Sequence, residues 1–594
     1  MNALLLAALL AVPSFAEPQS PYLAPFARLE QDYWDAQMKL SPLYATFVND
    51  PRYQDQLDDY GAAGRAEEHR LIEDLSKRLA AIDRASLSET DRVSWDVLKE
   101  QLAVTLLGEK QKLWQWNADH MDGPQSWVPT VIAMAQPMKD APDAEKLLVR
   151  LKEVPTLFAQ QTANLREGVA EGRVAARVPV QKLIAQLDGL LQTPAKDSAY
   201  LKALERLPAD LRPKYQPLLV QAVQTHVYPA YRDYRRFLHD EYLPKSRATK
   251  IGLSALPGGR DAYLYEIRAQ TTVEKTPEEL HALGLSELEG IHKEMAAIQA
   301  RAGFKGPLSS YLASVRKDPK NFFTTREQVL ETARAIVARV KAKLPEEFGL
   351  LPKTDLEVRP IEDYKEKNDV AARYYQPPDD LSRNGIYFIN TYEPTSRPRF
   401  SMNSLACHEG VPGHHLQIAL ALEQRGLPAF RRNAGFTAFV EGWALYSERL
   451  CDEMGMYTDD LARLGMLSDQ ALRAARLVVD TGIHALGWER QQAIDFMKAN
   501  TPMGEDEIVA EVDRYTIWPG QALAYKVGQR EIAALRAQSR AALGDRFDLR
   551  AFHDTVLRNG ALPLSVLRGL VEERDRVYLA GAKERSASSK AGTP

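Results

Sequence analysis

The chain of 594 residues contains only two cysteines, Cys407 and Cys451. Two cysteines cannot build the disulfide framework that holds small secreted domains together, and they are too few for a thiolate zinc site. A single bridge between them is open, but free cysteine is among the most buried residue types, so we expect two buried free thiols. Stability must then come from a hydrophobic core, which a chain of this length can build over one large domain or two to three ordinary ones.

The chain also lacks an excess of either charge and any long apolar run. Lys and Arg number 76 against 80 Asp and Glu, without long blocks of one sign, so we expect no nucleic-acid partner and no polybasic membrane contact. No apolar run reaches the roughly 18 residues that a membrane span needs. The short run Ala3 to Val12 ends in Ser14-Phe15-Ala16, which is typical of a secretory signal peptide at 1–16. No cysteine near that cut offers a lipid anchor, so the sequence predicts a periplasmic or secreted protein, and it favours no particular oligomeric state.

Strand patterns are scarce, and most of the chain follows helical periodicity. Between residues 67 and 82 apolar residues recur at steps of three and four, and Thr276, Pro277 and Glu279 form the start signal of another helix. The clearest strand is "GIYFIN" at 385–390, a β-branched and aromatic run between turn residues. The sequence therefore predicts a mainly α fold with a small β element.

The softest predicted boundary lies in a loop rich in Pro, Gly and Asp at 254–263. After the signal peptide, an N-terminal helical lobe is expected at 17–255 and a C-terminal helical lobe at 256–585. The polar tail at 586–594 is expected to be disordered.

Residues 406–417, "ACHEGVPGHHLQ", hold three of the 11 histidines. A His-Glu pair on a helix is typical of zinc peptidases, whose HExxH motif puts two histidine ligands one helical turn apart. Here the residue four after His408 is Pro412, and His414 and His415 follow six and seven positions on. Along a straight helix that separation is about 9 to 10.5 Å. Two nitrogens that each lie about 2 Å from one ion cannot be so far apart.

Pro412 resolves this conflict because proline clashes with the carbonyl four residues back and interrupts the helix. Gly410 and Gly413 flank the break and tolerate a loop. A second helix can restart at His414, which brings His414 or His415 back towards His408. The segment predicts a looped metal-binding motif; the alternatives are satisfied core or surface histidines, or an anion site at a helix N-terminus.

A third metal ligand is expected from "FTAFVEGWALYSERL" at 436–450. Glu441 lies among apolar residues, so we expect a buried carboxylate that needs a partner, which a metal ion supplies. Glu448 follows seven residues later on the same helix face, which leaves one carboxylate as ligand and the other to orient a histidine. The alternative is an ion pair of Glu441 with Arg473 or Arg476. Among common ions, zinc suits mixed imidazole and carboxylate ligands best.

Several ordered motifs resemble those of the bacterial "domain of unknown function 885" family: "HEGVPGHHLQ", "FVEGWALYSE", "DTGIHALGW" and "RYTIWPGQALAYKVGQREI". The segments "DYWDAQMKLSPLYAT" and "GLSALPGGRDAYLYEI" extend the resemblance over nearly all of the mature chain. The family is similar in fold to helical zinc peptidases of the thermostable carboxypeptidase, angiotensin-converting enzyme and thimet oligopeptidase type. The resemblance implies a large two-lobed helical fold with a deep channel between the lobes and a small β element beside the metal site.

The same resemblance implies roles for the site residues. His408, His414 and Glu441 would hold a zinc ion, and Glu409 would activate a water molecule as general base. The motif departs from HExxH by its longer spacing, which leaves the choice between His414 and His415 open. His414 needs the smaller bulge and is preferred, which gives His415 a supporting or substrate-binding role.

Residues outside the histidine segment complete the expected site. Tyr515 and Tyr525 are candidate donors to the oxyanion formed during hydrolysis, a role implied by the resemblance to the tyrosine-bearing region of the carboxypeptidases. Three candidate substrate contacts are His484, Lys526 towards a peptide carboxylate, and Asn390 at the end of the strand. The strand itself, if its edge is free, can pair with an extended peptide.

Together these inferences predict an exported zinc-dependent peptidase that hydrolyses short peptides. Zinc hydrolysis of another amide or an ester is the first alternative, because the same water chemistry serves any polarised carbonyl. A non-catalytic protein that binds metal or peptide is the second. Glu409 discriminates between these classes, since a pure binder does not need a carboxylate beside its first ligand.

Overall fold

The computed structural model describes residues 23–362, 366–368 and 370–591. The expected signal peptide at 1–16 lies outside these residues. The helices are α1 Leu23–Leu40, α2 Pro42–Phe47, α3 Ala62–Ala80, α4 Glu89–Gln111, α5 Pro124–Ala135, α6 Ala141–Lys152, α7 Val154–Ala170, α8 Arg177–Gln192, α9 Arg212–Ala222, α10 Tyr228–Phe237, α11 Gly259–Thr271, α12 Pro277–Arg301, α13 Leu308–Lys317, α14 Arg326–Glu347, α15 Met402–Glu409, α16 His414–Glu423, α17 Ala429–Arg432, α18 Thr437–Glu453, α19 Asp460–His484, α20 Arg490–Asn500, α21 Glu505–Tyr515, α22 Ala524–Leu543, α23 Leu549–Leu557 and α24 Leu564–Ala591. The strands are β1 Leu356–Pro360, β2 Ala372–Tyr375 and β3 Gly385–Ile389. The mainly α fold class is confirmed.

Local signals place several helix ends where the sequence predicts them. At the start of α12 the Thr276 side chain accepts a hydrogen bond from the Glu279 amide, and the Glu279 carboxylate accepts one from the Thr276 amide. At the other end of the chain, α24 continues to Ala591. The tail expected to be disordered from 586 is therefore helical as far as 591, and 592–594 lie outside the described residues. None of the described helices combines the length and the apolar character that crossing a membrane requires.

The strands form one mixed sheet in the order β1-β3-β2. β1 runs parallel to β3, with Leu356 opposite Gly385, and β2 runs antiparallel to it, with Ala372 opposite Ile389. Because β3 is the central strand, both of its edges are already paired, so the condition of a free edge, on which pairing with a peptide depended, is not met. On the inner face Tyr387 and Ile389 belong to the main core, so the sheet packs against helices that carry the histidine segment.

Buried apolar side chains form two large clusters. The smaller cluster draws on residues 118–243, together with Leu43. The larger one takes in most buried apolar residues from 251 to 571 and also those of α1, α3 and α4. The described part of the expected N-terminal lobe, 23–255, is therefore divided between the two clusters, because its first helices pack with the C-terminal part of the chain.

Two contacts tie α18 to its neighbours. Cys407 of α15 and Cys451 of α18 form a disulfide, so the expectation of two free thiols is wrong. The two cysteines are 44 residues apart in the chain, and their pairing depends on helix packing that the sequence pattern does not reveal. On another side, α18 meets α22 at Gly442 and Gly528, where a Cβ on Gly442 would collide with the Gly528 main chain. These contacts fix α18 between α15 and α22.

Candidate metal centre

The helix break around Pro412 folds the chain back on itself. α15 ends before this loop and α16 starts after it with His414. The loop lies so close to α15 that a Cβ at Gly413 would collide with the carbonyl oxygen of His408. Trp443 of α18 fixes the loop, since its indole Nε1–H donates to the Pro412 carbonyl over 2.8 Å. The first residue of α16 is thereby brought over the last turn of α15.

Three side chains converge at this point: His408 of α15, His414 of α16 and Glu441 of α18. The Oε2 atom of Glu441 lies 3.4 Å from Nε2 of His408 and 3.6 Å from Nε2 of His414. One ligand atom from each of the three lies within 4.8 Å of the others. The two imidazoles are buried and meet edge to face, with ring centroids 4.9 Å apart.

This donor set fits a zinc ion. Ligand nitrogens and oxygens lie about 2.0–2.2 Å from zinc, and a tetrahedral arrangement puts two of them about 3.4 Å apart. The distances from Glu441 to the two rings match that spacing. Its Oε2 is buried and accepts no hydrogen bond from the part of the chain that the structure describes. A buried carboxylate oxygen without a partner is costly, and a cation at this point would satisfy it.

A buried network orients His408 from behind. Its Nδ1–H donates to Glu448 over 2.9 Å, which leaves Nε2 free to bind a metal ion together with the other two ligands. The second oxygen of Glu448 accepts from Gln470 over 2.8 Å. The Gln470 oxygen accepts in turn from Lys526 and Gln529, each over 2.8 Å. Ligand histidines in metal sites commonly donate their other nitrogen to a carboxylate in this way.

The charges of the cluster are strongly coupled. Burial alone would lower the pKa of His408, but Glu441 and Glu448 raise it to about 10. Burial alone would raise the pKa of Glu441, but His408 and His414 bring it well below its ordinary value. Without metal the imidazoles thus attract the Glu441 carboxylate across 3.4 and 3.6 Å without forming a hydrogen bond to its Oε2, and a cation must displace the His408 proton in order to bind.

His415 is turned away from the cluster. Its Nε2–H donates to the Thr354 carbonyl over 3.1 Å, and its Nδ1 accepts from the Tyr374 hydroxyl over 3.1 Å. Burial lowers its pKa to about 4, so the ring is neutral. With both nitrogens engaged, His415 connects α16 to the sheet, and His414 is the histidine that joins the cluster.

Glu409 is the last residue of α15 and is half-buried. Tyr387 of β3 lies near it: burial raises the pKa of this tyrosine above its ordinary range, and the Glu409 charge adds to the effect. The Tyr387 hydroxyl is fully buried and has no hydrogen-bond partner within the described residues. Sequence analysis singled out the strand but not this residue. The signal that could have found it is the side-chain alternation along β3, which turns Tyr387 towards the helices.

The two candidate oxyanion donors differ in what their hydroxyls do. Tyr515 is fully buried and donates to Glu511 over 2.6 Å, so its hydrogen is not available to a substrate, and the role expected of it is corrected to a structural one. The Tyr525 hydroxyl accepts from Arg514 and Gln521, both at 3.4 Å. Tyr525 therefore keeps its own hydrogen for another acceptor.

The three expected substrate contacts are engaged within the fold. His484 accepts from the Leu253 amide at Nδ1 and donates to the Tyr515 carbonyl from Nε2. Lys526 is buried in the network behind the ligands. The Asn390 side-chain amide donates to two main-chain carbonyls of the preceding loop. None of the three thus presents a free polar group to a substrate, because each is taken by a partner that the sequence does not reveal.

A cavity of about 1550 Å³ lies between the N-terminal helices and the C-terminal part of the chain. The three clustered ligands do not line it, but two of its lining residues contact residues of α18 and α22. Gln270 accepts from the Thr437 hydroxyl over 3.1 Å, and Gln521 donates to Tyr525. Since Thr437 precedes Glu441 by one turn of α18, the cavity wall comes within a helical turn of the cluster.

Comparisons with known proteins bear on family and fold. A family model described as "Bacterial protein of unknown function (DUF885)" matches residues 42–571. A crystal structure described as that of a "putative lipoprotein" from Colwellia psychrerythraea is 30% identical, with a TM-score of 0.89 over 94% of this chain and 100% of that chain. A structure described as a "putative lipoprotein of unknown function" from Shewanella oneidensis is 19% identical, with a TM-score of 0.70 over 92% of this chain and 99% of that chain, and shares the fold. No curated protein matches the chain.

Proposed function

This chain belongs to the bacterial DUF885 family, and from its candidate metal centre we propose that it is an exported zinc-dependent peptidase that hydrolyses short peptides. The observation that carries the proposal is the convergence of His408, His414 and Glu441, with Glu409 as the residue that follows His408 at the end of α15. The unsatisfied oxygen of Glu441 favours a cation there. Glu409 supplies the carboxylate that hydrolysis needs and that simple metal binding does not.

The catalytic roles follow from these positions. A bound zinc ion polarises a carbonyl and lowers the pKa of water at the site. The Glu409 carboxylate takes a proton from the attacking water and passes it to the nitrogen of the leaving amine. Glu448 holds the His408 ring through Nδ1, so that its Nε2 keeps one direction throughout.

Two tyrosines supply hydroxyl hydrogens. Tyr525 keeps its hydrogen and contacts a residue of the cavity wall, so we assign it as donor to the oxyanion of the substrate. Tyr387 is buried beside Glu409 and stays protonated, so we assign it to position the Glu409 carboxylate. The cavity has room for a peptide, since its volume of about 1550 Å³ exceeds that of ordinary small-molecule sites, which is about 300–1,000 Å³.

Export is supported by two features. The disulfide between Cys407 and Cys451 suits an oxidising compartment such as the bacterial periplasm. The apolar segment at 3–12 has the character of a signal peptide. If this is right, cell fractionation finds the protein outside the cytoplasm, and mass spectrometry of the mature protein finds cleavage after Ala16.

The function is tested by metal analysis followed by digestion of a peptide library. We expect the purified protein to bind one zinc per chain and to cleave short peptides. Glu409→Gln should retain the zinc and lose cleavage by at least a factor of 100, as expected for loss of a general base. Glu346→Gln, which removes an exposed carboxylate at the end of α14, is the matched control and should behave like the wild type.

The other outcomes separate the alternatives. Zinc binding with turnover of esters or other amides, but not of peptides, would favour the broader hydrolase. Zinc binding without any turnover would favour a binding protein. A protein that binds no divalent ion would refute the metal site itself.

A further inference from the structure

Lys526 of α22 is a buried cation that meets no carboxylate at hydrogen-bond distance within the described residues. Its side chain is 1% exposed, and the carboxylate of Glu287 lies 3.8 Å from its Nζ. The Nζ donates instead to two side-chain amide oxygens, to Gln470 over 2.8 Å and to Gln529 over 2.6 Å. A buried charge without a close counter-ion is costly, and an apolar side chain of similar length would avoid that cost.

Lysine only donates hydrogen bonds, and this fixes which way the Gln470 amide points. The ammonium has three N–H donors and no acceptor, so the Gln470 atom that faces it must be the oxygen. The Gln470 nitrogen then faces two acceptors, the Glu448 carboxylate at 2.8 Å and the Leu445 carbonyl at 3.3 Å. Burial lowers the pKa of Lys526 to about 7, but the neutral amine keeps two N–H groups, one for each amide oxygen.

Gln529 reinforces this orientation. Its Oε1 accepts from Lys526, and its Nε2 donates to the Gln470 oxygen over 2.8 Å and to the Leu445 carbonyl over 3.1 Å. Turning the Gln470 amide over would place its NH2 group against the N–H groups of Lys526 and Gln529, and its oxygen against two acceptor oxygens. Because every hydrogen bond of that amide would then be lost, its direction is fixed from the side of Lys526.

The same direction continues to the metal ligand. Gln470 donates to one oxygen of Glu448, and the other oxygen accepts from Nδ1–H of His408 over 2.9 Å. Glu448 thus acts as an acceptor at both ends. An imidazole that donates Nδ1–H to a carboxylate keeps the lone pair of Nε2 for a metal ion, and the carboxylate raises the basicity of that nitrogen. Three hydrogen bonds therefore connect Lys526 to the His408 ring.

We propose that Lys526 is a positioning residue of the metal centre, which acts through Gln470 and Glu448. These three residues, here called the lysine relay, fix the direction of the hydrogen bond that holds His408 with Nε2 towards the metal ion. The inference rests on the metal site of the proposed function and not on hydrolysis, because it concerns zinc affinity alone. It gives Lys526 a role behind the ligands in place of the substrate contact first expected of it.

The relay is tested by zinc affinity, measured by competition with a chromophoric chelator. Lys526→Met keeps the length of the side chain but removes its donors. We expect the zinc dissociation constant to rise at least fivefold, because outer partners of ligand histidines contribute about 10- to 100-fold and Lys526 acts through two further residues. Arg530→Met is the matched control, since Arg530 lies one turn further along α22, has the same charge and also pairs with Glu287. Its zinc affinity should stay within twofold of wild type.

A second background separates the relay from general support of the fold. In Glu448→Gln protein the amide that replaces the carboxylate cannot accept at both ends, so the relay is already interrupted. Lys526→Met should then leave the zinc dissociation constant within twofold of the Glu448→Gln parent, whereas a purely structural loss would appear in both backgrounds by the same factor. Thermal melting of the metal-free proteins verifies folding. Where Lys526→Met does not fold, Gln470→Met takes its place, because it interrupts the same relay and predicts the same pattern.

Two results would overturn the inference: zinc affinity of Lys526→Met within twofold of wild type, or an equal loss in the wild-type and Glu448→Gln backgrounds. Failure of the peptidase proposal reads differently. Zinc binding with the expected pattern but without peptide cleavage by wild type would refute the peptidase and keep the relay. Cleavage by wild type with equal losses in both backgrounds would refute the relay and keep the peptidase, and a wild-type protein that binds no zinc would refute both.

Discussion

Removal of the Cys407–Cys451 disulfide should weaken both the fold and the metal site. The bond closes 44 residues of chain, and the loop-closure relation assigns to such a loop about 4 kcal/mol of stability at 25 °C. Because both cysteines are fully buried, alanine is the better replacement, since serine would add a buried hydroxyl. We expect Cys407→Ala with Cys451→Ala to lower the free energy of unfolding by about 2–4 kcal/mol, measured by urea denaturation of the metal-free protein.

The metal site should respond because the disulfide lies next to its ligands. Cys407 precedes His408, and Cys451 lies on α18 three residues beyond Glu448. Without the bond, α15 and α18 are held together only by packing and by the hydrogen bond from His408 to Glu448, so His408 is less firmly positioned. We expect the zinc dissociation constant to rise about tenfold, which corresponds to about 1.4 kcal/mol, as measured by competition with a chromophoric chelator.

Two controls sharpen the disulfide experiment. Wild type reduced with a phosphine should reproduce the double variant, because both have lost the same covalent bond. A double variant that unfolds within about 0.5 kcal/mol of oxidised wild type and binds zinc equally well would refute the reasoning, since the helices would then be held fully by their packing.

Further expectations concern single residues. Glu448→Gln should raise the zinc dissociation constant 10- to 100-fold in chelator competition, because it weakens the hydrogen bond that orients its histidine. His414→Ala should lose bound zinc in elemental analysis while His415→Ala keeps it, since only the first ring joins the cluster. Tyr387→Phe should lower kcat about tenfold with KM within twofold and zinc content unchanged, as expected for a positioning role. Glu266 holds a proton in the folded state up to about pH 8, against an ordinary value of 4.5, so its contribution to stability is present below pH 4.5 and is lost as pH rises through 8. Glu266→Gln should therefore remove a slope of up to about 1.4 kcal/mol per pH unit in urea denaturation between pH 5 and 8.

Each expectation has an outcome that contradicts it. Zinc affinity unchanged in Glu448→Gln would mean that packing alone orients the ring. If His415→Ala lost zinc and His414→Ala kept it, His415 and not His414 would be the metal ligand. A Tyr387→Phe variant with wild-type kcat would leave that hydroxyl without a catalytic role, and parallel pH profiles for wild type and Glu266→Gln would show that Glu266 is ionised in the folded protein.

The sequence predicted the local features of the fold better than its long-range contacts. Helix starts such as that at Thr276 depend on neighbouring residues, so they are visible in the sequence. The helix break at Pro412 is equally local. The central position of β3 and the pairing of Cys407 with Cys451 depend on how distant segments pack, so neither was visible in the sequence, and the expectation of free thiols failed for that reason.

The same distinction applies to the candidate site. The spacing, the helix breaker and the apolar surroundings of Glu441 pointed to the right segments but left two histidines and two carboxylates open. The family resemblance then implied His408, His414 and Glu441, which the structure brings together. The partners of the outlying residues were not visible. His484 accepts a hydrogen bond from the Leu253 amide, more than 200 residues away in the chain. No local pattern around a lone histidine predicts such a hydrogen bond.

The arrangement of the larger core affects how the newly made chain behaves. Apolar residues of α1, α3 and α4 share one core with residues beyond 251; Tyr33, for example, meets the Phe430 ring with centroids 5.5 Å apart. Ribosomes deliver these helices first, and the part of their apolar surface that packs against residues beyond 251 stays exposed until those residues have been translated. Such delayed closure suits the proposed export, in which the chain crosses a membrane unfolded. Cutting the chain near residue 250 would expose apolar surface on both fragments.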